Sequence, residues 1–148
     1  MSGGCQCGKV RYQVTCRPLT LYACHCSECQ KQSSSAFGMS MRIRTADLIL
    51  QGETKARRRD IGLPTEAEGI FCPNCGTRLI HKRPGATEFA TLKAGTLDDT
   101  SWLVVAGHIW TDSAQRWSKP EAGDLIFPKQ PENYDALIEA WQSALICA

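Results

Sequence analysis

Apolar and polar residues alternate along most of this chain, then switch to a longer period near its end. Val10, Tyr12 and Val14 alternate with Arg11, Gln13 and Thr15, and Phe37, Met39, Met41 and Ile43 alternate with Gly38, Ser40, Arg42 and Arg44. A period of two is that of a half-buried strand. Shorter apolar runs at residues 48–50, 70–71, 79–80 and 89–92 predict further strands. The run over residues 102–110 predicts two strands, or a strand and its turn around Gly107. Gly52, Gly62-Leu63-Pro64, Pro84-Gly85 and Asp98-Asp99 supply the breaks. After Pro131, Tyr134, Leu137, Ile138, Trp141 and Leu145 form the stripe of an amphipathic helix that packs on a sheet, with Asn133 as its N-cap. The pattern predicts one mainly β domain over residues 1–148, closed by a single α-helix.

Composition narrows the class. A chain of 148 residues buries about 68–70% of its unfolded surface around one core. A net charge of +2 is too small to imply a nucleic-acid or membrane partner. The start, Met1-Ser2-Gly3-Gly4-Cys5, has neither the charged nor the apolar region of an export signal, and no stretch approaches the roughly 18 apolar residues of a membrane span. Nine cysteines in that context point to the cytoplasm, where thiols stay reduced and open to metal.

Seven of the cysteines lie in three clusters: Cys5-x-Cys7, Cys24-x-Cys26-x2-Cys29 and Cys72-x2-Cys75. Thiolates one or two residues apart can grip one Zn2+ at about 2.3 Å per bond, whereas so short a loop strains a disulfide. Seven divides as four plus three, the counts of a closed structural site and an open catalytic one. Two partitions satisfy it. Cys5, Cys7, Cys72 and Cys75 can share one metal and Cys24, Cys26 and Cys29 a second. Alternatively Cys26, Cys29, Cys72 and Cys75 form a zinc ribbon. The 42 residues between Cys29 and Cys72 exceed the ribbon's usual spacing of roughly 15–20, and loop closure also favours the first partition. Gly8 and Gly76 follow the first and third clusters, where positive φ turns backbone N–H groups toward sulfur, and Pro73 pre-sets its turn.

The other candidates carry less. Cys16 reads as a buried, inert thiol ending its strand, and Cys147 as a frayed terminal one. His25 must point away from a metal held by both neighbours or replace one of them. His81 and His108 read as hydrogen-bonded strand histidines, with His108 the one placed to approach the open site. Asp98-Asp99 read as turn residues. Lys55-Ala56-Arg57-Arg58-Arg59 reads as a solvated loop rather than a nucleic-acid surface, because acidic residues follow and no aromatics interleave.

The ordered motifs resemble a known family. Gly3-Gly4-Cys5-Gln6-Cys7-Gly8-Lys9-Val10-Arg11-Tyr12, Cys24-His25-Cys26-Ser27-Glu28-Cys29 and Ser34-Ser35-Ala36-Phe37-Gly38 look like the opening of the glutathione-dependent formaldehyde-activating family. Phe71-Cys72-Pro73-Asn74-Cys75-Gly76-Thr77-Arg78-Leu79, Gly95-Thr96-Leu97-Asp98-Asp99 and His108-Ile109-Trp110 continue the match in order. The resemblance implies a β-tent fold of several small antiparallel sheets stapled by zinc. It assigns Cys5, Cys7, Cys72 and Cys75 to a structural zinc, and Cys24, Cys26 and Cys29 to a second zinc regarded as catalytic. It further implies a carbon–sulfur lyase acting on glutathione and formaldehyde. The chain departs from the family at Ser33-Ser34-Ser35, where a glycine is commoner between the serines.

An open zinc on three thiolates carries a charge of about −1, which makes it a weak Lewis acid but a good site for a substrate thiolate. The expected substrates are a small-molecule thiol and an aldehyde, with Arg42, Arg44 or Arg57 available for the thiol's carboxylates. A zinc-stapled binding module and a non-catalytic metal-binding protein are the alternatives.

Overall fold

The computed structural model describes residues 1–59 and 66–146, and the side chains as far as residue 144. The break expected at Gly62-Leu63-Pro64, the side chain of Leu145, and Cys147 lie outside these residues. In chain order the strands are β1 (Ser2–Gly4), β2 (Arg11–Val14), β3 (Thr20–Cys24), β4 (Gly38–Arg44), β5 (Leu48–Gln51), β6 (Lys55–Arg59), β7 (Ala67–Phe71), β8 (Arg78–Lys82), β9 (Phe89–Lys93), β10 (His108–Ile109) and β11 (Ile126–Phe127). The helices are α1 (Ser27–Ser33) and α2 (Asp135–Ile146). The fold is mainly β with a helix at the C-terminus, as the periodicity predicts. Two compact units are resolved, Met1–Pro18 with Met41–Trp102, and Leu19–Ser40 with Leu103–Ala148.

In the first unit β2 runs antiparallel to both β1 and β5, with Gly3 opposite Tyr12 and Tyr12 opposite Leu50. The alternation buries Val10, Tyr12 and Val14 and leaves Gln13 exposed. Each such aliphatic side chain contributes about 1.5–3 kcal/mol of burial. Asp98 accepts from Ser2 Oγ at 2.9 Å and pairs with Arg11, so it ties β1 to β2 rather than merely turning the chain. Strands β6 to β9 form an antiparallel meander in this unit, with a bulge between Ile70 and Phe71.

In the second unit β10 lies parallel to both β3 and β11, with Ile109 opposite Cys24 and Phe127. This departs from the all-antiparallel expectation. Helix α2 packs on β3 with Leu137 and Trp141 fully buried, and Thr20 Oγ1 donates to the Leu137 carbonyl at 2.8 Å. Asn133 Oδ1 accepts from the Asp135 N–H at 3.0 Å, one residue ahead of the N-cap position, which Tyr134 fills with its carbonyl on the Ile138 N–H.

Three expectations are corrected. Within residues 102–110 only His108–Ile109 is strand. Ala106 and Gly107 still bond β3 through the Leu21 carbonyl and the Ala23 N–H, and Gly107 has no room for a side chain, since a Cβ there would lie 2.6 Å from the Leu125 carbonyl. Cys16 is exposed, because β2 ends at Val14 and the chain leaves the sheet before the inward-facing position recurs. The basic run at residues 55–59 is strand β6 rather than a loop, with Arg59 half-buried.

Helix α1 is absent from the hydrophobic pattern. It ends on Ser34, whose φ of 50° and ψ of 39° are left-handed and whose N–H returns to the Gln30 carbonyl. A left-handed L-residue costs roughly 1–2 kcal/mol, part of which glycine gives back through its looser unfolded chain. The glycine common here in the family therefore has a conformational reason. Ser34→Gly should stabilise the protein by about 0.5–1 kcal/mol, read as a rise in thermal midpoint of roughly 2 °C.

Candidate metal centres

The sulfurs of Cys5, Cys7, Cys72 and Cys75 all lie within 4.8 Å of one another, in the first unit. Cys5 and Cys7 sulfurs are 3.5 Å apart, and Cys7 and Cys72 sulfurs 3.7 Å. Four thiolates at 2.3 Å around a tetrahedral zinc stand about 3.8 Å from each other. The spacing thus fits a metal and is far too long for a disulfide. None of the described cysteines is in a disulfide.

Two knuckles build this cluster in the same way. Cys5 N–H bonds the Val10 carbonyl, Gly8 N–H bonds the Cys5 carbonyl, and Val10 N–H reaches the Cys5 sulfur at 3.2 Å. In the other, Cys72 N–H bonds the Thr77 carbonyl and Gly76 N–H the Cys72 carbonyl. Gly8 and Gly76 both adopt a φ of +74°, the role the sequence assigns to them. The Thr77 hydroxyl lies 3.2 Å from the Cys75 sulfur and holds that thiol down at about 5. Burial pushes Cys72 up to about 11. Burial also opposes ionisation of Cys5, but the Val10 N–H and the neighbouring thiols outweigh it and its pKa falls.

Cys24, Cys26 and Cys29 form the second cluster, in the second unit, again with sulfurs within 4.8 Å. Cys24 closes β3, Cys26 is the N-cap of α1, and Cys29 sits in its first turn. The Cys26 sulfur takes the place of a capping oxygen and accepts from the Cys29 N–H at 3.3 Å. That explains why so polar a segment is helical: its ligand thiol is also its cap. Hydrogen bonds from Cys24 and Cys29, with the Cys29 and Glu28 N–H groups assisting, hold the Cys26 thiol far below its ordinary range. Cys24, on the donating side, is raised.

His25 is fully buried and points away from the sulfurs. Its Nε2 meets His108 Nδ1 at 2.8 Å with the rings stacked 5.1 Å apart, and His108 Nε2 meets Asp124 Oδ2 at 3.3 Å. When Asp124 accepts from His108 Nε2–H, His108 Nδ1 accepts in turn from His25 Nε2–H, so the chain runs in one direction and leaves the buried His25 Nδ1 without a hydrogen bond. Burial first, and His108 second, lower the pKa of His25. Its backbone carbonyl accepts from Gln30 Nε2 at 2.7 Å and Ser113 Oγ at 3.1 Å. The turn that carries two of the three thiols is therefore clamped at both its ring and its carbonyl.

Apolar groups pack around this cluster. Tyr22, Ile109 and Leu137 bury with Cys24 and Cys29, and Trp110, Phe127 and Tyr134 lie against them. Trp110 has a φ of 60°, a left-handed strain that a bulky residue holds only where its surroundings fix it. Its indole N–H donates to Gln130 Oε1, and Gln130 Nε2 to the Tyr134 hydroxyl.

The structure realises the first of the two cysteine partitions and not the ribbon. It brings His108 to the three-thiol turn, and leaves His81 on β8 in the first unit with Nδ1 lacking a hydrogen bond, contrary to expectation. Arg42, Arg44 and Arg57 belong to the first unit, and Arg42 stacks 4.3 Å over Phe89. Asp124, Gln30 and Ser113 carry no sequence signal of their own, because their roles arise only from contacts across 16 to 88 residues or from the turn they face.

The family model for the glutathione-dependent formaldehyde-activating enzyme matches residues 1–113. The chain belongs to that family. No curated protein matches the sequence. A crystal structure of a Rhodobacter sphaeroides protein is similar at 25% identity and a TM-score of 0.53, covering 68% of this chain and 91% of that one. No helix among the described residues is long and apolar enough to cross a membrane.

Proposed function

We propose that this family member is a zinc-dependent, carbon–sulfur lyase-like enzyme that joins a glutathione-type thiol to a small aldehyde in the cytoplasm. Zinc would be held by Cys24, Cys26 and Cys29 at the reaction site, and by Cys5, Cys7, Cys72 and Cys75 as a structural staple. The observation that carries the reading is that three thiols converge in one place and four in another, so one tetrahedral set is complete and one is open. A zinc held by the three thiols supplies a position at which a substrate thiol is ionised near neutral pH.

The bond-making step is simple. The thiolate sulfur adds to the carbonyl carbon, the carbonyl π pair becomes an alkoxide, and the alkoxide takes up the proton the thiol released. The chain's own residues set the stage. The clamp on the His25 carbonyl keeps the ligand turn from relaxing, and Trp110, Phe127 and Tyr134 shield the sulfurs from water.

Two measurements test the reading. Metal analysis should find two zinc atoms in the fresh protein, of which a mild chelator removes one; a single zinc at the outset would defeat it. Calorimetry should show glutathione binding to the wild type and not to Cys26→Ser, while the S-methyl thioether binds neither. Identical isotherms for thiol and thioether would leave a binding module or a non-catalytic metal protein ahead.

A further inference from the structure

Strand β6 is the outermost strand of the meander β6 to β9, and four of its five residues are cations: Lys55, Arg57, Arg58 and Arg59. β7 pairs with one side of it, and no strand among the described residues pairs with the other. In an antiparallel ladder, alternate residues turn both N–H and C=O away from the partner strand. The outer side of β6 therefore offers a row of backbone donors and acceptors.

Register decides what the cations face. Lys55 stands opposite Phe71, Arg57 opposite Gly69 and Arg59 opposite Ala67, so the face these three share meets no carboxylate on β7. Arg58 lies on the other face, opposite Glu68. Glu53 and Glu66, the nearest carboxylates in sequence among the described residues, lie outside the ladder. Lys55, Arg57 and Arg58 are exposed, and no described residue forms an ion pair with any of them. Residues i and i+2 of a strand stand about 6.7 Å apart, inside the Debye length of about 8 Å, so this row repels itself. Sheet edges are commonly blunted by a lysine or a proline. Three guanidinium groups in succession go beyond that, and their planar paired donors match carboxylates.

We propose that β6 is a docking edge for an extended acidic segment of another protein, which adds as a further strand beyond it. Main-chain hydrogen bonds along the outer side supply the pairing, and alternate side chains of the guest meet Lys55 and Arg57. The pattern recognised is a carboxylate at every second residue. A second copy of this chain does not fit, because pairing β6 with β6 sets cation against cation. A nucleic acid fits less well, since it brings no main-chain partner for the edge and β6 has no aromatic side chain on which a base can stack.

The test uses the zinc-loaded protein and a fluorescent nine-residue peptide of alternating glutamate and threonine. Anisotropy should rise along a saturating curve, and hydrogen exchange over residues 55–59 should slow when the peptide is present. Two control peptides separate strand addition from attraction between charges alone. Proline at two of the threonines keeps the charge but removes backbone donors, and glutamine for glutamate keeps the backbone but removes the charge. Each should bind at least tenfold more weakly. Lys55→Gln combined with Arg57→Gln, both at exposed positions, should weaken the original peptide by a similar factor. The proposal is overturned by equal binding of the proline peptide, by unchanged affinity in the double variant, or by tighter binding of a single-stranded DNA of equal charge. It is also overturned by the lack of any saturating response, which would leave β6 charged only to keep sheet edges apart.

Discussion

Cys72→Ser is expected to yield protein that does not fold, whereas Cys26→Ser folds with a modestly lower thermal midpoint. Cys72 is buried at the centre of the four-thiol cluster, its N–H held by Thr77 and its sulfur 3.7 Å from Cys7. Binding of a structural zinc is folding free energy, about 10–16 kcal/mol in small zinc domains, against a total stability of only about 5–15 kcal/mol. Losing one of four ligands forfeits a large share of that. The three-thiol cluster is different, because Tyr22, Ile109, Leu137 and the helix α2 pack the second unit independently of any metal. Circular dichroism and chelator-dependent melting of both variants decide the matter. Equal destabilisation by the two would remove the distinction between a stapling and a reacting centre.

Gly52→Ala should be the most damaging single-methyl change outside the cysteines. Gly52 follows β5 with a φ of +93°, and an added Cβ would stand 2.2 Å from the Lys9 carbonyl oxygen, a backbone atom that cannot swing aside. Left-handed strain of roughly 1–2 kcal/mol adds to overpacking of about 1–3 kcal/mol. The sum is about 3 kcal/mol, and the midpoint should fall by roughly 10 °C. Because Lys9 precedes Val10, whose N–H supports the Cys5 sulfur, zinc should also leave the four-thiol cluster faster in this variant. A drop of less than 2 °C, roughly the size of a surface change, would contradict the account.

What was legible in the sequence was what neighbours in sequence decide. Cysteine spacing and the glycines after Cys7 and Cys75 gave the knuckles, because a knuckle is a local turn. Period-two alternation gave β2, which buries one face, and the stripe Leu137–Trp141 gave α2. The alternation gave β4 as a strand but not its faces, since Gly38 and Ser40 are buried along with Met41 and Ile43 while Met39 is half-buried. Helix α1 was hidden, since Ser-Glu-Cys-Gln-Lys-Gln-Ser has no apolar stripe and relies on a sulfur cap. Strand β6 was hidden too, because five largely cationic residues look like solvated loop until the register with β7 is known. The same limit concealed the His25–His108–Asp124 chain, whose members meet only after β10 aligns beside β3.

The four-thiol cluster joins Cys7 to Cys72, 65 residues apart, while the three-thiol cluster is complete by Cys29. On a growing polypeptide, six thiols, Cys16 among them, are therefore made before Cys72 and Cys75, and synthesis proceeds at about 5–20 residues per second. For several seconds a metal ion would meet Cys5, Cys7, Cys16, Cys24, Cys26 and Cys29 without Cys72 and Cys75, and four of those six could close a wrong tetrahedron. Correct maturation would then depend on ligand exchange once the last two thiols emerge, so the pace of translation and the supply of free metal would set how much correctly folded protein is obtained.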